Sequence, residues 1–187
     1  MLRYIALIWD PHDAGACDSA RESIARLTTQ AASWFTCIDA AGLLLRANSV
    51  SIQKLPIGCG VILGSLFDNI GQHREDGAPA RVQLTVSEAQ RIILSDGKEL
   101  ITNYWGDYVA LFQEWNSSAS RVLRAPAASI PCLHLQLEGV HVYCSDAECF
   151  DAVTERRFFI DWEQLALSLI GPQMPQRTHL QSKSKRS

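Results

Sequence analysis

The sequence lacks the long apolar run, the strong net charge and the paired cysteines that mark several large classes of protein. No stretch approaches the roughly 18 consecutive apolar residues of a transmembrane helix. The apolar start, MLRYIALIWDPHD, is too short and too weakly basic for a secretory signal. A formal net charge of −3 provides no general attraction to nucleic acid or to an anionic membrane. We therefore expect a cytoplasmic chain that binds neither.

The cysteines are irregularly spaced, and none of them forms a C-x-x-C pair. In a cytoplasmic chain this pattern favours free thiols that behave as small apolar side chains, over a disulfide framework or a zinc site. His134 and His141 fall on neighbouring predicted strands and can face each other, but no cysteine–histidine spacing of the zinc type surrounds them. We interpret them as structural histidines and expect no bound metal. The six cysteines are Cys17, Cys37, Cys59, Cys132, Cys144 and Cys149.

The 187 residues suit a single domain, whose first half predicts one central strand, one helix and several short strands. Residues 3–9 are almost continuously apolar, as in a strand covered on both faces. Ser19 and Glu22 have the spacing of a capping box, which predicts a helix over about 19–30. A polar loop with turn residues spans 69–79. Further strands are predicted over 33–38, 42–47, 49–53 and 59–67.

The second half predicts two helices, two strand hairpins and two more helices. Thr85 or Ser87 can cap a helix over about 87–96, and Gly97 suits its end because glycine adopts a left-handed backbone at little cost. Asp146 can cap a short helix that follows it. The other predicted elements are a helix over 98–104, strands over 106–115, 120–124, 132–137 and 139–144, and a helix over 161–170. This order predicts an α+β fold built on antiparallel sheets.

Two short segments resemble a known enzyme family. Residues 124–131 read RAPAASIP, and residues 143–146 read YCSD. Together they resemble the stretch R-D-P-x-G-x-x-P … S-E in the glutaminase domain of asparagine synthetases, and more closely that domain in the lasso-peptide cyclases. The segments at 60–67, 105–112 and 160–167 are also similar to lasso-cyclase sequences, so the resemblance covers roughly residues 3–180.

The resemblance implies a fold and its limits. Over residues 1–172 it implies a four-layer αββα sandwich of antiparallel sheets, like that of the N-terminal-nucleophile hydrolases. Residues 173–187 are polar and basic with no apolar period. They are therefore expected to be a disordered tail or the start of a missing synthetase domain.

The resemblance also implies which positions would carry the chemistry. In the family, an N-terminal cysteine attacks the glutamine amide, and its own α-amino group is the general base. Leu2 stands at that position here. The Asn and Gly that bind the oxyanion correspond to Leu63 and Gly64, and the substrate-binding Asp corresponds to Val86. Arg46 is the nearest candidate for the substrate-binding Arg, so a vestigial site of Gly64, Leu63 and Arg46 is all that remains.

The residues kept from the family's pattern are interpreted as markers of the fold: Arg124, Pro126, Pro131, Ser145 and Asp146. A purely structural role is the alternative for each, with Arg124 as an ion-pair partner and Ser145–Asp146 as a helix cap. Processing that exposes Cys17 as a new nucleophile is not favoured, because it would remove the strand at 3–9. We therefore predict no catalytic residue in this chain.

These expectations lead to one function and one alternative. The first is a catalytically degenerate glutaminase-like domain, whose intact relatives form amide bonds by ATP-dependent activation of a side-chain carboxylate. The sequence has no S-G-G-x-D-S loop for pyrophosphate, so ATP and Mg²⁺ are expected only with a synthetase-type domain. That domain or a precursor peptide would be the partner, and the oligomeric state is left open. The alternative is a stand-alone peptide-binding or scaffold module, with an active hydrolase ranked last.

Overall fold

The computed structural model describes residues 2–31, 33–48, 52–58, 60–69, 81–113, 120–155 and 162–163. These residues form an α+β fold with two antiparallel sheets, as the sequence predicts. The strands are β1 (Tyr4–Trp9), β2 (Phe35–Ala40), β3 (Leu43–Ala47), β4 (Ile52–Lys54), β5 (Gly60–Asp68), β6 (Tyr104–Gln113), β7 (Ser120–Arg124), β8 (Leu133–Leu137) and β9 (Val140–Cys144). The helices are α1 (Ala14–Gln30), α2 (Val86–Leu94), α3 (Lys98–Asn103) and α4 (Glu148–Asp151).

The two sheets differ in the order of their strands. The first sheet has the order β2-β3-β1-β9-β8, so β1 lies at its centre and pairs with both β3 and β9. The second sheet has the order β4-β5-β6-β7. Its longest ladder joins β5 to β6, from the pair Gly60↔Phe112 to the pair Asp68↔Tyr104. Among the described strands, β2 and β8 are therefore the edges of the first sheet, and β4 and β7 are the edges of the second.

Along each strand, successive side chains point to opposite faces of the sheet. They therefore belong to different apolar clusters. In β1, Ile5 and Leu7 pack with Leu27 of α1, whereas Tyr4 and Ala6 belong to a cluster drawn from both sheets. We call this second group the shared cluster. Its buried members are Tyr4, Ala6, Cys37, Leu45, Ala47, Val61, Leu63, Val109 and Leu111.

The second sheet shows the same alternation. Tyr108 and Phe112 of β6 pack with Ile92 of α2 and Leu100 of α3. Val109, between them in sequence, belongs to the shared cluster. Full burial of a side chain the size of Phe112 contributes about 1.5–3 kcal/mol relative to exposure, so this alternation fixes the register of β6 strongly.

Helix α1 begins earlier than the sequence predicts. Its N-cap is Asp13, whose side chain accepts hydrogen bonds from the N–H groups of Gly15 (2.8 Å) and Ala16 (3.1 Å). Ser19 lies inside the helix, so the prediction that it caps the helix was wrong. Cys17 also lies inside α1 as a consequence.

The region around α2 and α3 follows the sequence more closely. Thr85 rather than Ser87 caps α2, and Glu88 completes a capping box with it. Gly97 has a φ of 82° and lies between the two helices, as predicted. Helix α3 ends at Asn103 and β6 begins at Tyr104, earlier than predicted, because Tyr104 has an extended backbone and buries its ring.

Several predictions fall mainly or wholly on residues outside the described ranges. These are the loop at 69–79, the helix at 161–170 and the tail at 173–187. Among the helices that are described, none is both long enough and apolar enough to cross a membrane.

Candidate functional site

Leu2 stands where the resemblance would put the nucleophile. Its side chain is partly buried and packs against the shared cluster, which includes Tyr4, Leu63 and Val109. An aliphatic side chain has no atom that can attack a carbonyl carbon. This position therefore contributes packing and not chemistry.

The next residue, Arg3, makes the main ion pair at the start of β1. Its Nε donates to Oδ2 of Asp146 (3.0 Å), and its Nη2 donates to Oδ1 of the same carboxylate (2.9 Å). Nη2 also lies 3.1 Å from Oε2 of Glu148, and the guanidinium carbon is 5.7 Å from the ring centroid of Trp34. Such a two-point contact holds both partners in one orientation. It ties β1 to the segment after β9.

Ser145 and Asp146 are part of the same network. Ser145 is buried, and its Oγ accepts a hydrogen bond from the N–H of Tyr4 (3.2 Å) and donates one to Oδ2 of Asp146 (2.9 Å). Asp146 also accepts from the N–H of Cys149 (3.2 Å), one residue inside α4. The N-cap of α4 is Ala147, so the prediction that Asp146 caps this helix is one residue off, although its carboxylate still accepts from an N–H of the first turn.

These contacts keep Asp146 ionised. Burial by itself would raise the pKa of this carboxyl group, but hydrogen bonds from Arg3, Cys149 and Ser145 outweigh burial and lower the pKa to about 2. A carboxylate with so low a pKa is a poor general base near neutral pH. The arrangement is that of a structural anchor.

Two of the three thiols close to this network, Cys144 and Cys132, are poor nucleophiles as well, whereas a hydrogen bond with Cys144 lowers the pKa of the third, Cys149. Cys144 and Cys149 are buried, and a hydrogen bond to Cys149 together with burial raises the pKa of the Cys144 thiol. Burial also raises the pKa of Cys132, which follows the corner at 124–131. Because the thiolate is the reactive form of cysteine, Cys144 and Cys132 are both unreactive at neutral pH.

The corner at 124–131 is held by one cation and one anion. The guanidinium of Arg124 donates from Nε to the carbonyl oxygen of Ile130 (2.9 Å) and from Nη2 to that of Ala128. Arg124 therefore links the first residue of the corner to two residues near its end. At the far end of the corner, the carbonyl oxygen of Pro131 accepts a hydrogen bond from the hydroxyl of Tyr4 (3.0 Å).

Asp107 of β6 supplies the anion. Its carboxylate accepts from the N–H groups of Ser129 (2.7 Å) and Ile130 (3.0 Å) and from the hydroxyl of Ser129. Burial would raise the pKa of Asp107, but these hydrogen bonds lower it overall. Asp107 thus fixes the corner against β6, and β6 lies directly beside β5.

Leu63 and Gly64 lie under this corner. Leu63 is fully buried in the shared cluster and offers no hydrogen-bond donor from its side chain. Gly64 has a φ of +108°, and a Cβ atom placed on it would lie 2.2 Å from the carbonyl oxygen of Asp107 and 2.6 Å from Cδ1 of Ile130. The backbone therefore requires glycine here for reasons of space and conformation.

A cavity of about 420 Å³ opens beside Gly64. The chain segment 81–84 forms one wall and is joined to β5 by the N–H of Val82, which donates to the carbonyl oxygen of Leu66 (3.0 Å). Lys54 and Arg81 are basic, and none of the described lining residues is acidic. The lining consists of Ile52, Gln53, Lys54, Gly64, Leu66, Arg81, Val82, Gln83 and Leu84.

Arg46 is not brought to this region. Its Nη1 lies 3.5 Å from the carbonyl oxygen of Leu27 in α1, and its Nη2 lies 3.4 Å from that of Trp34. Its Nε is buried without a hydrogen-bond partner among the described residues. The neighbouring Leu45 points into the shared cluster, so Arg46 lies on the opposite face of β3. Arg46 packs α1 against the first sheet instead of joining Gly64.

Four of the five residues kept from the resemblance lie in two chains of contacts that meet at Ile130 and Pro131, whereas Pro126 is exposed and belongs to neither. Arg124 bonds to Ile130, and Ile130 packs over Gly64. Pro131 bonds to Tyr4, whose backbone N–H bonds in turn to Ser145, which bonds to Asp146. Val86, which the resemblance would place at a substrate-binding Asp, is exposed at the start of α2.

Two residues in these contacts, Arg3 and Asp107, were missed by the sequence analysis. The only sequence pattern that points to Arg3 is a cation at the start of an otherwise apolar strand. No comparable sequence pattern marks Asp107.

The described residues contain no group of three or more His, Cys, Asp or Glu side chains that could hold a metal ion. Comparison of the chain with protein-family models, with curated proteins and with solved structures finds no match. Its function has to be argued from the site and from the sequence resemblance.

Proposed function

We propose that the chain is a catalytically degenerate glutaminase-like domain of the asparagine-synthetase and lasso-cyclase type. One observation carries the proposal: Leu2 and Leu63, which replace the nucleophile and an oxyanion donor, both pack into the shared cluster. Two positions that would hold reacting groups have become parts of one apolar core. The role that remains is non-catalytic, as support for a synthetase-type domain that would bring ATP and Mg²⁺.

The arrangement of the clusters supports a four-layer αββα sandwich as the finer description of the fold. Helices α1 and α4 share a cluster with the first sheet, and α2 and α3 share one with the second sheet. The shared cluster contains residues of both sheets. Stacked sheets with helices on their outer faces would bury apolar side chains in this way.

A glutaminase assay tests the loss of activity. We expect the purified chain to release glutamate from L-glutamine only at the background rate, because position 2 has no nucleophile and position 63 has no oxyanion donor. Loss of one such donor alone typically costs about 2.7–4 kcal/mol of barrier. Hydrolysis above background that survives Leu2→Ala would reveal another nucleophile and contradict the proposal.

A gain-of-function series tests the assignment of the positions. Leu2→Cys alone, after removal of Met1, is expected to stay inactive. The triple variant Leu2→Cys/Leu63→Asn/Val86→Asp is expected to hydrolyse glutamine slowly, since it restores the nucleophile, the oxyanion donor and the substrate-binding carboxylate but not the substrate-binding Arg. Circular dichroism checks that both variants are folded, because Leu63 is fully buried. A folded triple variant with no activity would count against these correspondences.

The cavity beside Gly64 favours a second function, a peptide-binding module. β4 is an edge strand of the second sheet, and an edge strand can pair with an extended peptide. Lys54 and Arg81 line the cavity without an acidic side chain among the lining residues. An acidic peptide therefore has the charge that complements this surface.

Titration with a fluorescently labelled acidic peptide tests this alternative. We expect saturable binding that is weakened severalfold by Arg81→Gln and by Lys54→Gln, because each substitution removes one positive charge from the cavity wall. Lys98→Gln is the matched control, since Lys98 is an exposed lysine on α3 away from the cavity lining. No binding at high micromolar protein, or equal weakening by all three substitutions, would count against a peptide site here.

A further inference from the structure

Two histidines face each other on the hairpin formed by β8 and β9. In the register of the hairpin, His134 pairs with Tyr143 and Gln136 pairs with His141, so the two histidines are diagonal neighbours on one face. Nε2 of His134 lies 3.0 Å from Nδ1 of His141, and their ring planes are within 11° of each other. The His134 ring also stacks on Tyr143, with 4.6 Å between ring centroids.

The sequence predicts structural histidines at these two positions, which share a face of the hairpin with Tyr143, and Tyr143 packs against the shared cluster. His134 is exposed and His141 is half-buried. The buried side chains of the same strands, such as Leu135 and Val142, point to the opposite face and pack with α1. The imidazole pair is thus presented at the surface on a rigid two-stranded support.

The spacing of the two nitrogens is close to that of two ligands on one metal ion. A Zn–N bond is about 2.0–2.1 Å long, so two imidazole nitrogens on a tetrahedral ion are about 3.3 Å apart. The observed 3.0 Å separation needs to open by only a few tenths of an ångström, with a rotation of the rings. In the metal-free pair one nitrogen donates its proton to the other. On metal binding, that donor ring moves its proton to its other nitrogen, so both facing lone pairs become available and no proton is lost.

We propose that His134 and His141 form a two-ligand site for a divalent late-transition-metal cation, of the class of Ni²⁺, Cu²⁺ or Zn²⁺. Imidazole suits these ions, whereas Mg²⁺ and Ca²⁺ require oxygen ligands that the pair does not supply. No third histidine, cysteine or carboxylate joins the pair in the described ranges. The described residues thus supply two of the ligands.

Calorimetric titration of the untagged full chain with Ni²⁺ alone tests the site. Ni²⁺ is preferred to Zn²⁺ as the probe because free thiols compete for zinc. We expect uptake that saturates at about one ion per chain, as for a single site of two imidazoles, and that persists in excess Mg²⁺. His134→Gln and His141→Gln are each expected to abolish saturable uptake.

His12→Gln is the matched control, since His12 is an exposed histidine in the loop before α1, and uptake should be unchanged. Circular dichroism confirms that each variant is folded. Broadening of the imidazole NMR resonances by Ni²⁺ identifies the ligands independently of the calorimetric signal. No saturable uptake by the unmodified chain would overturn the proposal. Uptake that survives the double substitution, or that His12→Gln also abolishes, would overturn it as well.

Discussion

Replacement of Gly64 by alanine is expected to destabilise the fold by about 3 kcal/mol or more, through a strained backbone and a steric clash combined. At a φ of +108° an L side chain is unfavourable, and the added Cβ atom would overlap the carbonyl oxygen of Asp107 at 2.2 Å. That oxygen belongs to the ladder between β5 and β6, so it cannot move without breaking the pairing. Urea unfolding followed by circular dichroism measures the loss.

Gly58→Ala separates the clash from the backbone strain. Gly58 also has a positive φ, of +72°, but a Cβ atom there would meet nothing within 4 Å. We expect it to cost about 1–2 kcal/mol, the penalty for a left-handed backbone alone. Equal effects of the two substitutions would show that the close approach at Gly64 does not matter. The glycine at position 64 would then need another explanation than the packing of the corner at 124–131.

The second large effect is expected at Asp146. Because folding lowers its pKa from 3.8 to about 2, the carboxylate stabilises the folded state above the unfolded pKa, and that contribution is lost as the pH falls through the folded pKa. The shift corresponds to about 2 kcal/mol, reduced to about 1 kcal/mol by solvent screening since Arg3 and Asp146 are 38% and 32% exposed. Asp146→Asn should therefore destabilise the protein at pH 7, and the difference should shrink as the pH falls from 5 toward 2.

Unfolding free energies of the two proteins at several pH values test this. Glu148→Gln is the control, because Glu148 meets the same guanidinium but its side chain is 82% exposed, and exposed pairs contribute little. A difference between the Asp146→Asn protein and the unmodified one that stays constant from pH 7 to pH 3 would contradict the ionic role of this carboxylate.

The elements that the sequence predicts well are those with a strong local pattern. The continuous apolar run at 3–9 and the hairpin across Glu138–Gly139 need no distant partner to be recognised, and both are present. The start of α1 was missed because Asp13 and Ser19 are both good caps, and only the folded chain shows that Asp13 reaches the free N–H groups. Local propensity does not choose between two competent caps.

The candidate site was predicted only where a motif marked it. Arg124 was found through the motif at 124–131. The contact of Arg3 with Asp146 joins residues 143 positions apart, and no local sequence pattern predicts it. Arg46 was predicted to bind substrate because it is an arginine, the residue type that binds substrate in the resembling family. The face of β3 on which it lies depends on the pairing with β1, in which Arg46 stands opposite Ile5. Pairings of this kind are tertiary information that a single sequence does not carry.

The central position of β1 has a consequence for the order in which the protein can assemble on the ribosome. Among the described strands β1 comes first in the chain, but one of its two neighbours, β9, comes last. The second sheet has all its strands once β7 has left the exit tunnel, whereas an apolar strand of the first sheet waits with one row of N–H and C=O groups unpaired. Nascent chains that stall before Val140 are therefore expected to expose β1 with a free edge suited to intermolecular pairing.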